Sequence, residues 1–382
     1  MRSHSTLAAW TAFAVVSNGL NILLTNDDGF ATANIRELYK ELKSLGHACY
    51  IVAPATDQSA VAGPTFFTTN PKLTTDSEWG IVKAGSSSIG TDPHDDHIWY
   101  YNGTQAAQVL VALDYILPTF ATFHTPDVVI SGPNVGWTVG PFVYTVSGTL
   151  GAVIAAIERG VPAISFSSAN TDPRSYEWVN SSTKVGLEDP ATINARLASS
   201  LIQSMIDRAA GAPVLPKGYG IAVNMPYITS HSSDDCTNPP FVPARRAGSA
   251  ASKVKFDPKT GLFGLAPVED EITSADRLLW PSKRDTTNTQ CTSAVTVFTV
   301  HYDPDRDGQC IMVTNAEQLV PVVVVNGTTP SSNGSVVVIV GNATDPSPSG
   351  QPPAPTITGL GVKSQWSMTA LILSLGIAAF AI

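Results

Sequence analysis

Charge is scarce in this chain. Of its 382 residues, 14% are Asp, Glu, Lys or Arg, against roughly 25% in an ordinary soluble domain. The 22 basic side chains stand against 31 acidic ones, form no run, and leave a net charge of −9. Proteins that grip duplex nucleic acid neutralise phosphates with clustered Lys and Arg, so no duplex partner is expected. No stretch reaches the roughly 20 apolar residues with which a helix crosses a bilayer. Cysteine is limited to Cys49, Cys236, Cys291 and Cys310, with no spacing that suggests zinc. Two hydrolase signatures are missing as well: no Gly-x-Ser-x-Gly elbow, and no Asp-x-Asp-x-Thr of phosphatases that use an aspartyl nucleophile. Apolar side chains are plentiful at 43%, so the 29 Gly and 28 Pro do not signal bulk disorder. The chain can bury a core.

Both ends read as processing segments. Residues 1–19 combine Arg2, an apolar run over 7–16 and the small residues Ser17 and Gly19, the pattern of a signal peptide; a first core helix is the other reading. Residues 368–382 form a charge-free apolar run behind a Pro/Ser/Gly/Thr-rich stretch, which resembles a removable GPI-anchor signal, with a short membrane anchor as the alternative. Membrane contact is expected only there. Asn-x-Ser/Thr sequons occur at Asn102, Asn180, Asn326, Asn333 and Asn342, so residues 321–367 read as a glycosylated stalk. Together these features point to the secretory pathway, with the protein extracellular or at the cell surface, where disulfides are allowed. Cys49 lies in an apolar strand pattern and reads as a buried small hydrophobe, leaving three cysteines for one bridge and one odd thiol.

Residues 20–320 alternate strand and helix periods. Residues 21–25 read as a buried strand, and Ile35, Leu38, Leu42 and Leu45 then share one helix face closed by Gly46. Further strands are expected at 49–53, 127–131, 162–166 and 221–224, an alternating one at 294–302, and helices at 105–117, 149–159 and 191–210. Apolar strands without polar alternation, separated by helices, indicate a mostly parallel sheet covered on both faces. The fold class is α/β, Rossmann-like and doubly wound.

In such sheets ligands bind beyond the carboxyl ends of the strands. Three loops stand there: Asn26-Asp27-Asp28-Gly29, Ala53-Pro54-Ala55-Thr56-Asp57-Gln58-Ser59 and Gly132-Pro133-Asn134-Val135-Gly136. Adjacent carboxylates repel unless a cation lies between them or one is protonated. Carboxylates, an Asn carbonyl and a Ser hydroxyl supply the oxygen ligands that Mg²⁺ or Mn²⁺ prefers. An Asp-Asp-Gly turn alone is only a turn, and convergence of the three loops makes it a site. Ser147-Gly148-Thr149 opens a small-residue helix whose free N–H groups suit a phosphate, plain N-capping being the structural alternative. A metal beside a phosphate cradle implies activated water attacking phosphorus.

These segments, with Val52-Ala53-Pro54, Gln58-Ser59 and Val223-Asn224-Met225-Pro226, resemble the SurE family of metal-dependent 5′/3′-nucleotidases and acid phosphatases over roughly residues 21–305. The resemblance implies a divalent-metal phosphomonoesterase acting on a nucleotide-like phosphate monoester and assembling as a homodimer or homotetramer. It implies metal ligands at Asp27, Asp28, Ser59 and Asn134, with the two aspartates catalytic, and phosphate contacts at Ser147, Gly148 and Thr149. Three departures bear on substrate fit. Thr138 stands where the family's glycine-rich loop has a second Asn, one extra residue precedes Ser147, and Gly103-Thr104-Gln105-Ala106-Ala107 lacks the family's Pro and Asp. They leave room for another reading, a glycosylated binding protein with weakened turnover. A serine hydrolase built on Ser147 is the third reading. His94-Asp95-Asp96-His97 reads as a solvated polar loop, and Asp303-Pro304-Asp305-Arg306-Asp307-Gly308 as a turn, because Thr314 stands where a calcium loop needs Glu.

Overall fold

Strand β1 (Asn21–Thr25) is buried from Ile22 onward and lies between β2 (Ala48–Pro54) and β5 (Val128–Val135), parallel to both. In this computed structural model the described residues are 19–61, 63–170, 172–179, 188–228, 236–244, 252–267 and 291–300. The signal-peptide segment apart from Gly19, the stalk, the apolar tail, Cys310, the sequons other than Asn102 and the turn at 303–308 lie outside them.

Outward from β1 the sheet continues through β4 (Asp95–Tyr101) and β3 (Ile89–Asp92) on one side. On the other side come β6 (Ala163–Ser168), β7 (Tyr219–Met225), β11 (Ser293–Thr299) and β8 (Phe241–Pro243). The order among the described residues is β3-β4-β2-β1-β5-β6-β7-β11-β8. Six of these strands, from β4 to β7, run parallel, while β3 and β11 pair antiparallel to their inner neighbours. β9 (Ser252–Asp257) and β10 (Leu262–Pro267) form a separate antiparallel hairpin. The chain leaves β1 towards β2 and enters β5 on the opposite side, so the gap beyond β1 and β5 is the switch point where such folds open a crevice.

Alternation decides which helices cover which face. Ile22 and Leu24 pack with the side of α1 (Ala33–Ser44) and α6 (Pro190–Ala209), whereas Leu23 packs towards α2 (Gln105–Val111) and α5 (Gly148–Glu158). Both faces of each strand are thus apolar, which is why the strands carry no polar alternation. In α1, Ile35, Leu38 and Leu42 are fully buried, but Leu45 is 46% exposed. The helix ends at Ser44, so Leu45 leaves the apolar stripe, and Gly46 turns the chain with φ +89. α2 continues through a wider turn (Ala112–Ile116) into α3 (Leu117–Phe120), three residues past the expected end.

Among the described residues, the β3–β4 hairpin, the β9–β10 hairpin, β8 and α4 (Gly140–Val146), which begins with Gly and Pro, escape the sequence pattern. Asp95, Asp96 and His97 therefore open β4 rather than lying in a loop. A disulfide joins Cys236 to Cys291. Cys49 is a free, buried thiol, pushed up to about 12 by burial.

Candidate active site

The strand ends explain how the site assembles. β1 stops at Thr25, and the following turn closes on its own Asn26, whose Nδ2 donates to the Gly29 carbonyl at 3.0 Å while Oδ1 accepts from the Gly29 amide at 3.2 Å. Gly29 has φ +115, a conformation that costs glycine nothing. Asp27 and Asp28 are thereby held beyond the strand, 3% and 6% exposed.

Each carboxylate is anchored from a different element. Thr149 at the start of α5 donates its amide and its hydroxyl to Asp27, at 3.2 and 3.0 Å. The Val135 amide at the end of β5 donates to Asp28 Oδ2 at 3.1 Å. Burial pushes Asp27 up to about 6 and holds Asp28 well above the usual carboxylate range, where the charge of Asp27 raises it further; Asp57 adds to both. No cationic side chain acts on either one among the described residues. Two adjacent buried carboxylates in that state are poised to hold a cation.

The other candidate oxygens lie on the two loops that hydrogen-bond to this pair. Asn134 is buried, and its Nδ2 donates to the Gly136 carbonyl at 2.9 Å. That bond turns the amide so that Oδ1 is buried with no partner of its own. An orphaned buried carbonyl oxygen is costly unless something fills it. Gly132 fixes how close β5 comes: its φ is +109, and a Cβ there would lie 2.1 Å from the Phe166 carbonyl. Ser59 is exposed, on a loop tied to the pair by the Gln58 amide, which donates to the Asp27 carbonyl at 2.8 Å. Asp57 shapes that loop by accepting from the Ser59 amide at 2.8 Å. Two carboxylates, an unpartnered amide oxygen and a hydroxyl on the neighbouring loop make an all-oxygen donor set, which fits a hard divalent ion.

At the Ser147-Gly148-Thr149 turn the roles divide. Ser147 is the N-cap of α5, its hydroxyl accepting from the Leu150 amide at 3.3 Å. Thr149 spends both donors on Asp27, so in this arrangement it steadies a carboxylate as well as facing the turn. Thr138, the residue in place of the family's Asn, exchanges two 2.8 Å hydrogen bonds between its backbone and the Asn224 side chain, and its hydroxyl lies 3.4 Å from that of Ser147. Ser167 donates to Thr138 Oγ1 at 2.9 Å. These buried polar residues support Ser147, and Asn224 is where the Val-Asn-Met-Pro motif enters the site.

The profile of the family described as Survival protein SurE matches residues 22–242. The chain belongs to the SurE family. It is 38% identical over 313 residues to an acid phosphatase of Yarrowia lipolytica, covering 79% of this chain and 86% of that one. It is 37% identical over 158 residues to the 5′-nucleotidase SurE of Desulfovibrio desulfuricans, covering 40% of this chain and 53% of that relative, about half its length. Among solved structures, the SurE protein of Aquifex aeolicus aligns with a TM-score of 0.47 and 20% identity, covering 74% of this chain and 94% of that one.

A second acidic group, Asp95, Asp96 and His97, brings its ligand atoms within 4.8 Å of one another, but it belongs to the other edge of the sheet. It opens β4, whereas the candidate site lies beyond the carboxyl ends of the parallel strands. Its charges already have partners: Tyr39 donates to Asp95 at 2.8 Å, and His97 Nδ1 lies 3.0 Å from Asp96, which is 90% exposed.

Sequence reading missed Gln105 and Gln108. Both are fully buried on α2 in the segment where the family pattern is lost. Two amides on an otherwise apolar helix face are the one signal that could have marked them.

Proposed function

We propose that this member of the SurE family, a phosphoric monoester hydrolase, is a divalent-metal phosphomonoesterase of the acid phosphatase or nucleotidase type. The observation that carries the reading is the pair Asp27–Asp28, buried with no cationic partner among the described residues, together with the unpartnered Asn134 Oδ1. Asp27, Asp28, Asn134 and Ser59 would hold Mg²⁺ or Mn²⁺. When bound, such an ion supplies Lewis acidity, activating water and offsetting charge on the phosphoryl oxygens. The chain's own groups do the rest. Thr149 and the Val135 amide fix the two carboxylates, and Ser147 and Gly148, at the positive N-terminal end of α5, would face the phosphoryl group. A groove of about 520 Å³ runs from Ser147 past Thr65, Ile154 and Phe298 and gives the body of a nucleotide-like monoester room to lie.

The Cys236–Cys291 disulfide supports an oxidising compartment, consistent with a secreted or surface-anchored glycoprotein whose leader, stalk and tail occupy residues 1–19, 321–367 and 368–382. Phe256, Leu262 and Phe263 of the β9–β10 hairpin are exposed, a surface that suits self-association as a homodimer or homotetramer. The deciding assay is phosphate release from nucleoside monophosphates and an aryl phosphate with Mg²⁺ or Mn²⁺, then with chelator. Turnover that persists under chelation and in Asp28→Asn overturns the metal mechanism; metal-dependent ligand binding with no release favours a binding protein on the same scaffold.

A further inference from the structure

Gln105, the first residue of α2, has no exposed surface. Its Nε2 donates to the Gln58 carbonyl at 2.6 Å. The same amide lies flat against the phosphate-binding turn: a Cβ on Gly148 would come within 2.3 Å of Nε2 and 2.4 Å of Cδ. Gln58 in turn donates its amide to the Asp27 carbonyl at 2.8 Å. Thr149, next to Gly148, donates twice to the Asp27 carboxylate. The contacts close a ring from Asp27 through Gln58, Gln105 and the Gly148–Thr149 turn back to Asp27. Gln105 is the side chain that joins two otherwise separate loops in that ring. Its Oε1 is buried without a partner, a cost that a purely structural amide has no reason to carry. Gln108, one turn on, uses both ends of its amide, donating to the Gly103 carbonyl at 2.7 Å and accepting from Thr25 at 3.4 Å.

We propose that Gln105 is a positioning residue that sets the Ser59 loop and the Ser147–Thr149 turn against the same residue, Asp27, the loop at its backbone carbonyl and the turn at its carboxylate. The segment that lacks the family's Pro and Asp thus carries its own device for the job. The inference rests on the metal-dependent reading above. The group needed at position 105 is a donor of glutamine length. Gln105→Met keeps the length without the donor. Gln105→Glu can donate to the Gln58 carbonyl only while protonated, a state that burial favours.

The test is calorimetric titration of the full chain with Mn²⁺ across pH, alongside thermal melting. Gln105→Met is expected to bind Mn²⁺ about tenfold more weakly, as for groups that orient ligands, with the drop of a few degrees in melting temperature that loss of one hydrogen bond brings. Gln105→Glu is expected to approach wild-type affinity at the acid end and to fall towards the Met variant as pH rises, each value being taken relative to wild type at that pH. Wild-type affinity in Gln105→Met, or a Gln105→Glu that tracks wild type or the Met variant at every pH, overturns the proposal. If Gln105→Met does not fold, the pH course of Gln105→Glu decides alone. A wild-type chain that binds no Mn²⁺ overturns instead the metal reading, and this inference with it.

Discussion

The two edges of the sheet treat buried carboxylates in opposite ways. At the amino edge, Asp92 is fully buried at the end of β3 and meets Arg36 of α1 at 2.8 Å. Nearby, Asp95 feels partial burial, but hydrogen bonds from the His97 amide and Tyr39, with Lys43 close by, hold it below the usual range. At the carboxyl edge, Asp27 and Asp28 are equally buried, yet among the described residues only neutral donors reach them, and both are raised. A chain that needed these aspartates only for stability would pair them as it pairs Asp92, since an uncompensated buried charge is expensive. That difference is the ground for the proposed cation site at the carboxyl edge.

The strongest way to break this comparison is to neutralise one aspartate at each edge. Asp28→Asn removes a ligand and should cut metal-dependent phosphate release by about a thousandfold or more, the loss of several kcal/mol of charge stabilisation. The same substitution relieves repulsion, so the metal-free melting temperature should rise. A parallel fall in activity and metal-free stability would contradict the contrast. Asp92→Asn should do the reverse. Leaving Arg36 buried and unpaired costs about 3–5 kcal/mol, a drop of roughly 10 °C on melting, with turnover of the folded fraction unchanged.

Next in size is the response to pH without metal. Because Asp27 titrates at about 6 in the fold, against 3.8 ordinarily, its contribution is present below pH 4 and is lost as pH rises through 6, on the order of 3 kcal/mol. Asp95, being lowered, contributes the opposite way, adding stability above pH 4 that disappears as pH falls. Chemical denaturation at pH 4 and pH 7, with chelator and with Mn²⁺, separates the two, since Mn²⁺ should abolish the loss on the alkaline side. A metal-free protein no less stable at pH 7 than at pH 4 would remove the argument that the pair is poised for a cation. The smallest effect is expected for Thr149→Val, which deletes the 3.0 Å hydroxyl bond to Asp27 while keeping its shape. Stability should change by about 1 kcal/mol, and Mn²⁺ affinity should weaken modestly.

Much of this was legible in the chain. The turn Asn26-Asp27-Asp28-Gly29 needs only a short strand before it and a glycine after it, and both are local features. β1, α1 and α5 begin and end close to where apolar period and glycine place them. The hairpin at 89–101 was not legible, because Asp95, Asp96 and His97 read as polar loop, and the residues that follow them, Ile98–Tyr101, are fixed in register by β2, far away in sequence. Nor was the role of Gln105: its partners Gln58 and Gly148 lie 47 and 43 residues away, and the departure from the family pattern around it looked like a loss.

Composition and period are short-range properties, and they were enough to establish a doubly wound sheet, its covered faces and three loops facing one edge. Which carboxylates meet a cationic side chain and which do not is a long-range outcome. It depends on which helix packs over which strand end, so that Arg36 of α1 reaches Asp92 while Asp27 meets Thr149 and the Gln58 amide. Burial then converts those placements into raised or lowered acidity, because desolvation acts only once the whole sheet has closed over the group.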